Sequence, residues 1–157
     1  MLMSSSSQST AKASKPFKPS AEQLAFLEAL HHATLPPQQF THRDHLHYAW
    51  LLLRLHSFEI ACARCLAGIW YYANHLGAHD KFHFTLTRAS LFLVAQRQQQ
   101  CMADDFEQFL AANSDLLSQF SELIAQHYST QQLANPAAKS GWLAPDRLPL
   151  PLLPHNE

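Results

Sequence analysis

Glycine is scarce in this chain of 157 residues, which contains only 3. Runs of Val, Ile and Thr are nearly absent as well. Without such runs, and without glycine to support hairpin turns, a sheet has little to be built from. Cysteine also numbers 3, at Cys62, Cys65 and Cys101, too few for a disulfide scaffold. No apolar run reaches the roughly 18 residues of a membrane span, and no apolar leader follows the first residues. These absences predict a reduced, cytoplasmic protein with no membrane partner. A charge of one sign is missing too. The chain has 11 Lys and Arg against 12 Asp and Glu, with no basic block in the region expected to fold. A nucleic-acid backbone requires a basic footprint, so nucleic acid is not an expected partner.

The residues that are plentiful point to helices. Leu, Ala and Gln dominate, and all three favour helices. Apolar residues make up 47% of the chain, enough for one core that needs neither disulfide nor metal merely to fold. The length fits a single domain. The anomaly is histidine, at 11 residues beside a charged content of only 15%. Histidine is the side chain whose charge changes near neutral pH, and it is the commonest metal ligand.

The pattern along the chain predicts an all-α fold, a single small bundle of about five to six helices. Residues 1–19 are Ser-, Lys-, Ala- and Gln-rich and read as a disordered tail. The helical domain spans 20–135. Ser20 and Gln23 have capping-box spacing, and a helix follows over about 21–33 with Leu24, Leu27 and His31 on one face and Leu30 at its edge. Pro36-Pro37 stops it. Thr41 caps a second helix, about 42–55. Ser57 caps a third, about 58–76, whose apolar face is Phe58, Cys62, Cys65, Leu66, Ile69, Tyr72 and Leu76, with Gly77 after its end. A fourth helix spans about 82–100, and two shorter ones about 104–112 and 114–128. From Pro136 to residue 157 the chain is a Pro-rich extended segment whose leucines lie on the bundle.

Short connections make successive helices antiparallel. The start of helix two, the end of helix three and the start of helix four then share one end of the bundle, and the end of helix one is expected there too. His31, His32, His42, His45, His47, His75, His79 and His83 all fall at that end. At about 100° per residue, His42 and His45 sit on the stripe of Leu46, Ala49 and Leu53, whereas Asp44 and His47 point away. On helix four, His83, Thr87, Ser90 and Val94 form an inward stripe of unusual polarity, which calls for partners or a ligand.

Two histidines at i and i+3 with a third from a facing helix can hold a divalent metal, Zn or Fe, with a position left open for water or substrate. The first expectation is therefore a metal-dependent enzyme acting on a small molecule. His42, His45 and His83 are the ligands, Thr87, Ser90 and Arg88 the substrate pocket, and His75 and His79 its outer support. The second is a non-catalytic helical binding or accessory protein whose histidines serve packing or pH response. The Cys62-Ala63-Arg64-Cys65 spacing falls inside a helix, where small core residues rather than a redox pair are expected. Arg54 joins Arg88 as a side chain that could turn inward, and Trp50, Trp70 and Trp142 read as packing aromatics.

Phe40-Thr41-His42-Arg43-Asp44-His45-Leu46, followed by Ala49-Trp50 and Leu53-Arg54, resembles the opening motif of a family of small, uncharacterised helical bacterial proteins. The likeness continues through Lys81-Phe82-His83-Phe84-Thr85-Leu86-Thr87. It resumes at Asn113, Leu116-Leu117, Tyr128-Ser129, Leu133 and Pro145-Asp146, and so covers most of residues 40–150. The resemblance implies a recurring site at His42, His45 and His83 without naming a reaction. Members often carry Glu after the third histidine, where this chain has Phe84.

Overall fold

The computed structural model describes residues 16–153. Ser20 Oγ accepts from the N–H of Gln23, and Gln23 Oε1 accepts from that of Ser20, so the expected capping box starts α1 (Ala21–His31). Thr41 and Asp44 repeat the device at α2 (His42–Leu55). α3 (Phe58–His75) ends at Leu76 and Gly77, where φ of +72° closes the helix in a conformation that glycine adopts without strain. α4 (Phe84–Gln100) begins two residues later than the spacing suggests, because His83 serves as its N-cap. The rest is short: α5 (Phe106–Ala112), α6 (Asp115–Ser118), α7 (Phe120–Ala125), α8 (Thr130–Ala134) and α9 (Pro136–Ser140). Two 3₁₀ turns, Pro37–Gln39 and His79–Lys81, complete the list of elements. Every regular element among the described residues is helical, so the protein is all-α.

The core lies where α2, α3 and α4 meet. Trp50, Leu51, Leu91, Val94, Phe109 and Leu116 are fully buried there. Truncating such a residue to alanine costs about 2–5 kcal/mol, the lost transfer energy plus the void left behind. Cys62 and Cys65 are free and buried in the same core, as their helical placement predicts, and burial pushes the Cys62 thiol up to about 12.

Several details differ from the periodicity. On α1 it is Leu30 that is buried, whereas Leu24 and His31 are exposed. Phe26 selects that face by packing against Phe40, Tyr48 and His47. Leu76 and Trp70 are exposed on α3, so Trp70 is not a core aromatic. The helix expected over 114–128 is two, broken at Gln119. The segment after residue 135 is not extended throughout. Pro136 occupies the first position of α9, where its missing N–H costs nothing, and Ala138 is fully buried. Beyond Gly141 the chain is non-helical through residue 153. Leu150 packs on the core, whereas Leu148 and Leu152 face solvent. Of the tail expected over 1–19, residues 1–15 lie outside the described residues. Phe17 sets its ring edge-on to Trp50 at 5.3 Å, with the Arg54 guanidinium over its face at 4.8 Å.

Side-chain bonds tie the segment after α9 to α4 and to the chain around α7 and α8. Thr85, fully buried, donates to Gly141 O at 2.6 Å and accepts from Leu143 N at 3.0 Å. Tyr128 donates to Leu143 O, and the Ser129 hydroxyl to Asp146. Arg147 donates to Ala125 O.

Candidate functional site

A pocket of about 340 Å³ opens between α2, α3, α4, α7 and the 3₁₀ turn before α4. His42, His45, His83, Thr87 and Ser90 all line it, so the structure brings together five of the residues singled out from the sequence. Leu46, Ala49, Leu91 and Val94, all buried, give it an apolar wall, to which the partly buried Ile69 and Phe120 add. Lys81 adds the single fixed charge, and no carboxylate is among the lining residues. In the stripe expected on α4, Val94 joins His83, Thr87 and Ser90 at this wall.

Hydrogen bonds set the tautomer of each imidazole in its neutral form. His42 Nε2 lies 2.9 Å from Leu116 O, and a carbonyl only accepts, so Nε2 carries the hydrogen and Nδ1 keeps a lone pair. His45 Nδ1 lies 2.8 Å from Thr41 O, so here Nε2 keeps the lone pair. The ring of His45 also stacks on Phe40 at 3.8 Å. Burial, first of all, lowers the pKa of His45, with a further contribution from nearby His42 opposed by the Thr41 carbonyl and Asp44. His83 has neither nitrogen to spare. Its Nδ1 accepts from the N–H of Leu86 at 3.0 Å, and its Nε2 donates to Leu133 O at 2.8 Å.

That geometry bears directly on a metal. Three free nitrogens are needed for the three-histidine centre, and the fold offers two, because His83 is spent on capping α4 and holding Leu133. Among the described residues no group of three or more His, Cys, Asp or Glu side chains is arranged to hold a metal ion. As folded, the three residues do not fit the expected set of ligands.

The polar stripe also finds its partners within the protein. Thr87 donates to His83 O and Ser90 to Leu86 O, each one turn back along α4. Arg88 is not in the pocket. It points to the far side of α4, among the rings of Phe58, Phe92 and Trp142, and meets Glu59 at 3.5 Å. His75 and His79 are exposed and do not line the pocket.

The eight histidines do not gather in one pocket. His31 and His32 line a different hollow, which they share with His56 at the opposite end of α2. His47 points away from the pocket, as expected, but not to open solvent. Its ring is sandwiched between Phe26 at 5.4 Å and Phe106 at 4.4 Å. Burial and the neighbouring Arg43 lower its pKa, and Gln23 donates to its Nε2 at 3.1 Å.

Several residues around the histidines are structural joints. Thr41 and Asp44 cap α2, Phe40 carries His45, and Thr85 holds Gly141 and Leu143. Leu116 and Leu133 supply the carbonyls that His42 and His83 reach. Phe84 lies at the first position of α4 and lines a separate hollow with Trp70, Phe82 and Lys139, so an acid at this position would not face the histidine pocket. Compared with family models, curated proteins and solved structures, the chain matches none of them.

Sequence reasoning missed Arg97, which makes a two-pronged pair with Asp115 (both contacts 2.7 Å) and reaches Asn113 at 3.1 Å. It also gave no role to Lys81 or Phe120. Arg97 lies in the last turn of α4 and Asp115 in the first turn of α6, positions where each charge complements a helix dipole. That was the available signal. No described helix is long and apolar enough to cross a membrane.

Proposed function

We propose that this protein is a non-catalytic helical binding module that takes a small molecule into the pocket between α2, α3, α4 and α7. The observation that carries this reading is the bonding state of the polar wall. His83, Thr87 and Ser90 are each tied to backbone carbonyls or amides of the protein itself. A nucleophile or a general base needs a side chain free to exchange a proton with substrate, and among the imidazoles and hydroxyls of the lining only one nitrogen each of His42 and His45 remains uncommitted. The largely apolar lining and the volume, near the lower end for ligand sites, suit a small and largely apolar guest. The resemblance to small helical bacterial proteins belongs to the same reading, since its motif residues do structural work.

A metal-dependent enzyme is the competing reading, and it would require His83 to release Leu86 and Leu133. Elemental analysis of the purified protein, paired with thermal melts with and without chelator, separates the two. Well under one equivalent of metal and an unchanged melting temperature are expected. A stoichiometric metal that alanine at His42, His45 or His83 strips away would replace the proposal with the enzyme reading.

A further inference from the structure

We propose that the pocket guest is a neutral molecule with an apolar body and a hydrogen-bond-donating head, a hydroxyl or an amide N–H, which gives its hydrogen to the free nitrogens of His42 and His45. The inference rests on the binding reading above and adds the chemical class of the ligand.

The hydrogens of the polar lining are already spent inside the protein. A hydroxyl carries one hydrogen and two lone pairs. Thr87 gives its hydrogen to His83 O at 2.8 Å, and Ser90 gives its own to Leu86 O at 2.6 Å. Whatever either oxygen turns to the pocket is a lone pair. His83 has nothing left, since one nitrogen accepts from Leu86 and the other donates to Leu133. Neutral His42 donates to Leu116 O and neutral His45 to Thr41 O, so Nδ1 of the first and Nε2 of the second are acceptors. Both stay within reach of a guest. His42 is exposed where it lines the pocket. Among the described residues the buried side-chain polar atom without a partner is Arg54 Nε, so the unpartnered Nε2 of His45 is not sealed inside the protein.

Donors are few by comparison. Cys65 is a buried thiol, which donates only weakly. Lys81 is exposed, where an ammonium stays hydrated. The imbalance selects the head group. A carboxylate, an ester or an ether sets lone pairs against lone pairs, and it strips water from two nitrogens that then go unmet. An ammonium has hydrogens to give, but the lining holds no carboxylate to offset its desolvation, and Lys81 carries the same charge. A neutral O–H or N–H avoids both costs.

Size sets the rest of the guest. An engineered cavity of about 150 Å³ holds benzene, so by proportion about 340 Å³ holds a guest of roughly a dozen non-hydrogen atoms. Leu46, Ala49, Leu91 and Val94 offer no side-chain hydrogen bond and take its alkyl or aryl body.

The test is titration calorimetry on the full chain at about pH 8, where a free imidazole is neutral and a phenol still holds its hydrogen. Four probes of similar size are used. The isomers para-propylphenol and para-ethylanisole differ in having and lacking an O–H, para-ethylbenzoate supplies the anion and para-ethylbenzylammonium the cation. The phenol is expected to bind roughly two- to tenfold tighter than its isomer, the worth of one hydrogen bond, and tighter than either ion. NMR of the imidazoles gives an independent readout. The unprotonated ring-nitrogen resonances of His42 and His45 move upfield with the phenol, as their lone pairs accept a hydrogen, and stay in place with the anisole. His42→Leu combined with His45→Leu removes both acceptors. The advantage of the phenol over its isomer then disappears while the anisole still binds, and the melting temperature confirms that the variant folds. Where it does not fold, the nitrogen resonances decide. Equal affinity for the two isomers, unmoved ring nitrogens, or preference for either ion overturns the donor inference and leaves the binding reading standing. No binding by any of the four overturns both.

Discussion

His83 and Leu133 are separated by fifty positions in sequence, yet the imidazole Nε2 of one donates to the carbonyl of the other at 2.8 Å. The same ring caps α4 through its other nitrogen. One side chain therefore starts a central helix and anchors α8.

His83→Ala is expected to destabilise the fold by about 2 kcal/mol, about 1 for the cap and about 1 for the bond to Leu133. His83→Asn places an efficient cap at the same position but is too short to replace both bonds, so it should recover roughly half of the loss. Urea denaturation of the three proteins measures this. Equal stability of His83→Ala and the parent would remove His83 from its structural role.

Thr85 is fully buried and holds Gly141 and Leu143 with one hydroxyl. Thr85→Val keeps the shape and removes both bonds, leaving a partly buried carbonyl and amide unmet. A loss of about 1–3 kcal/mol is expected. The segment after residue 140 should also become more sensitive to limited proteolysis. Thr87→Val, whose hydroxyl only bonds back along its own helix, should cost much less.

Arg97 holds the Asp115 carboxyl below the ordinary carboxylate range through paired hydrogen bonds. A carboxylate whose pKa is lower folded than unfolded stabilises the fold above its unfolded value, and that contribution disappears as pH falls through the folded one. Melting temperature should therefore fall from about pH 4 downward more steeply in the parent than in Asp115→Asn. Parallel acid limbs in the two proteins would show that the pair contributes nothing to folding.

His45 and His47 are both lowered from the ordinary value of 6.5, burial being the first cause in each. Such a histidine is protonated more readily in the unfolded chain. Stability is thus complete above about 6.5, declines as pH drops below it, and levels off once the folded-state pKa has been passed. Melts between pH 4.5 and 8 should show this decline, less steeply in His45→Gln and His47→Gln. NMR titration of the two rings should place both below 6.5; a value above it for either would reverse the sign for that residue.

Local chemistry was readable wherever the chain carries its own signal. Ser20 with Gln23, Thr41, and Gly77 marked helix ends to within a residue or two, because capping depends on neighbours a few positions apart. The facing of His42 and His45 on α2 followed from the helical repeat, and the stripe of His83, Thr87 and Ser90 does reach the same pocket. The face of α1 was misjudged because Phe26 packs against Tyr48 on α2 and Phe40 ahead of it. Arg88 was misplaced because Phe58, Phe92 and Trp142, which flank it, come from three separate parts of the chain.

The sequence by itself determined that the protein is helical, where its main helices begin and end, and which histidines share a wall. The tertiary structure alone decided what those histidines are free to do. Their hydrogen-bond partners, Leu116 and Leu133, lie 74 and 50 positions away, and no periodicity along a helix can reveal a carbonyl brought in from so far along the chain. A histidine cluster that reads as three open ligands in the sequence becomes, once folded, one closed joint and two single nitrogens beside an apolar pocket.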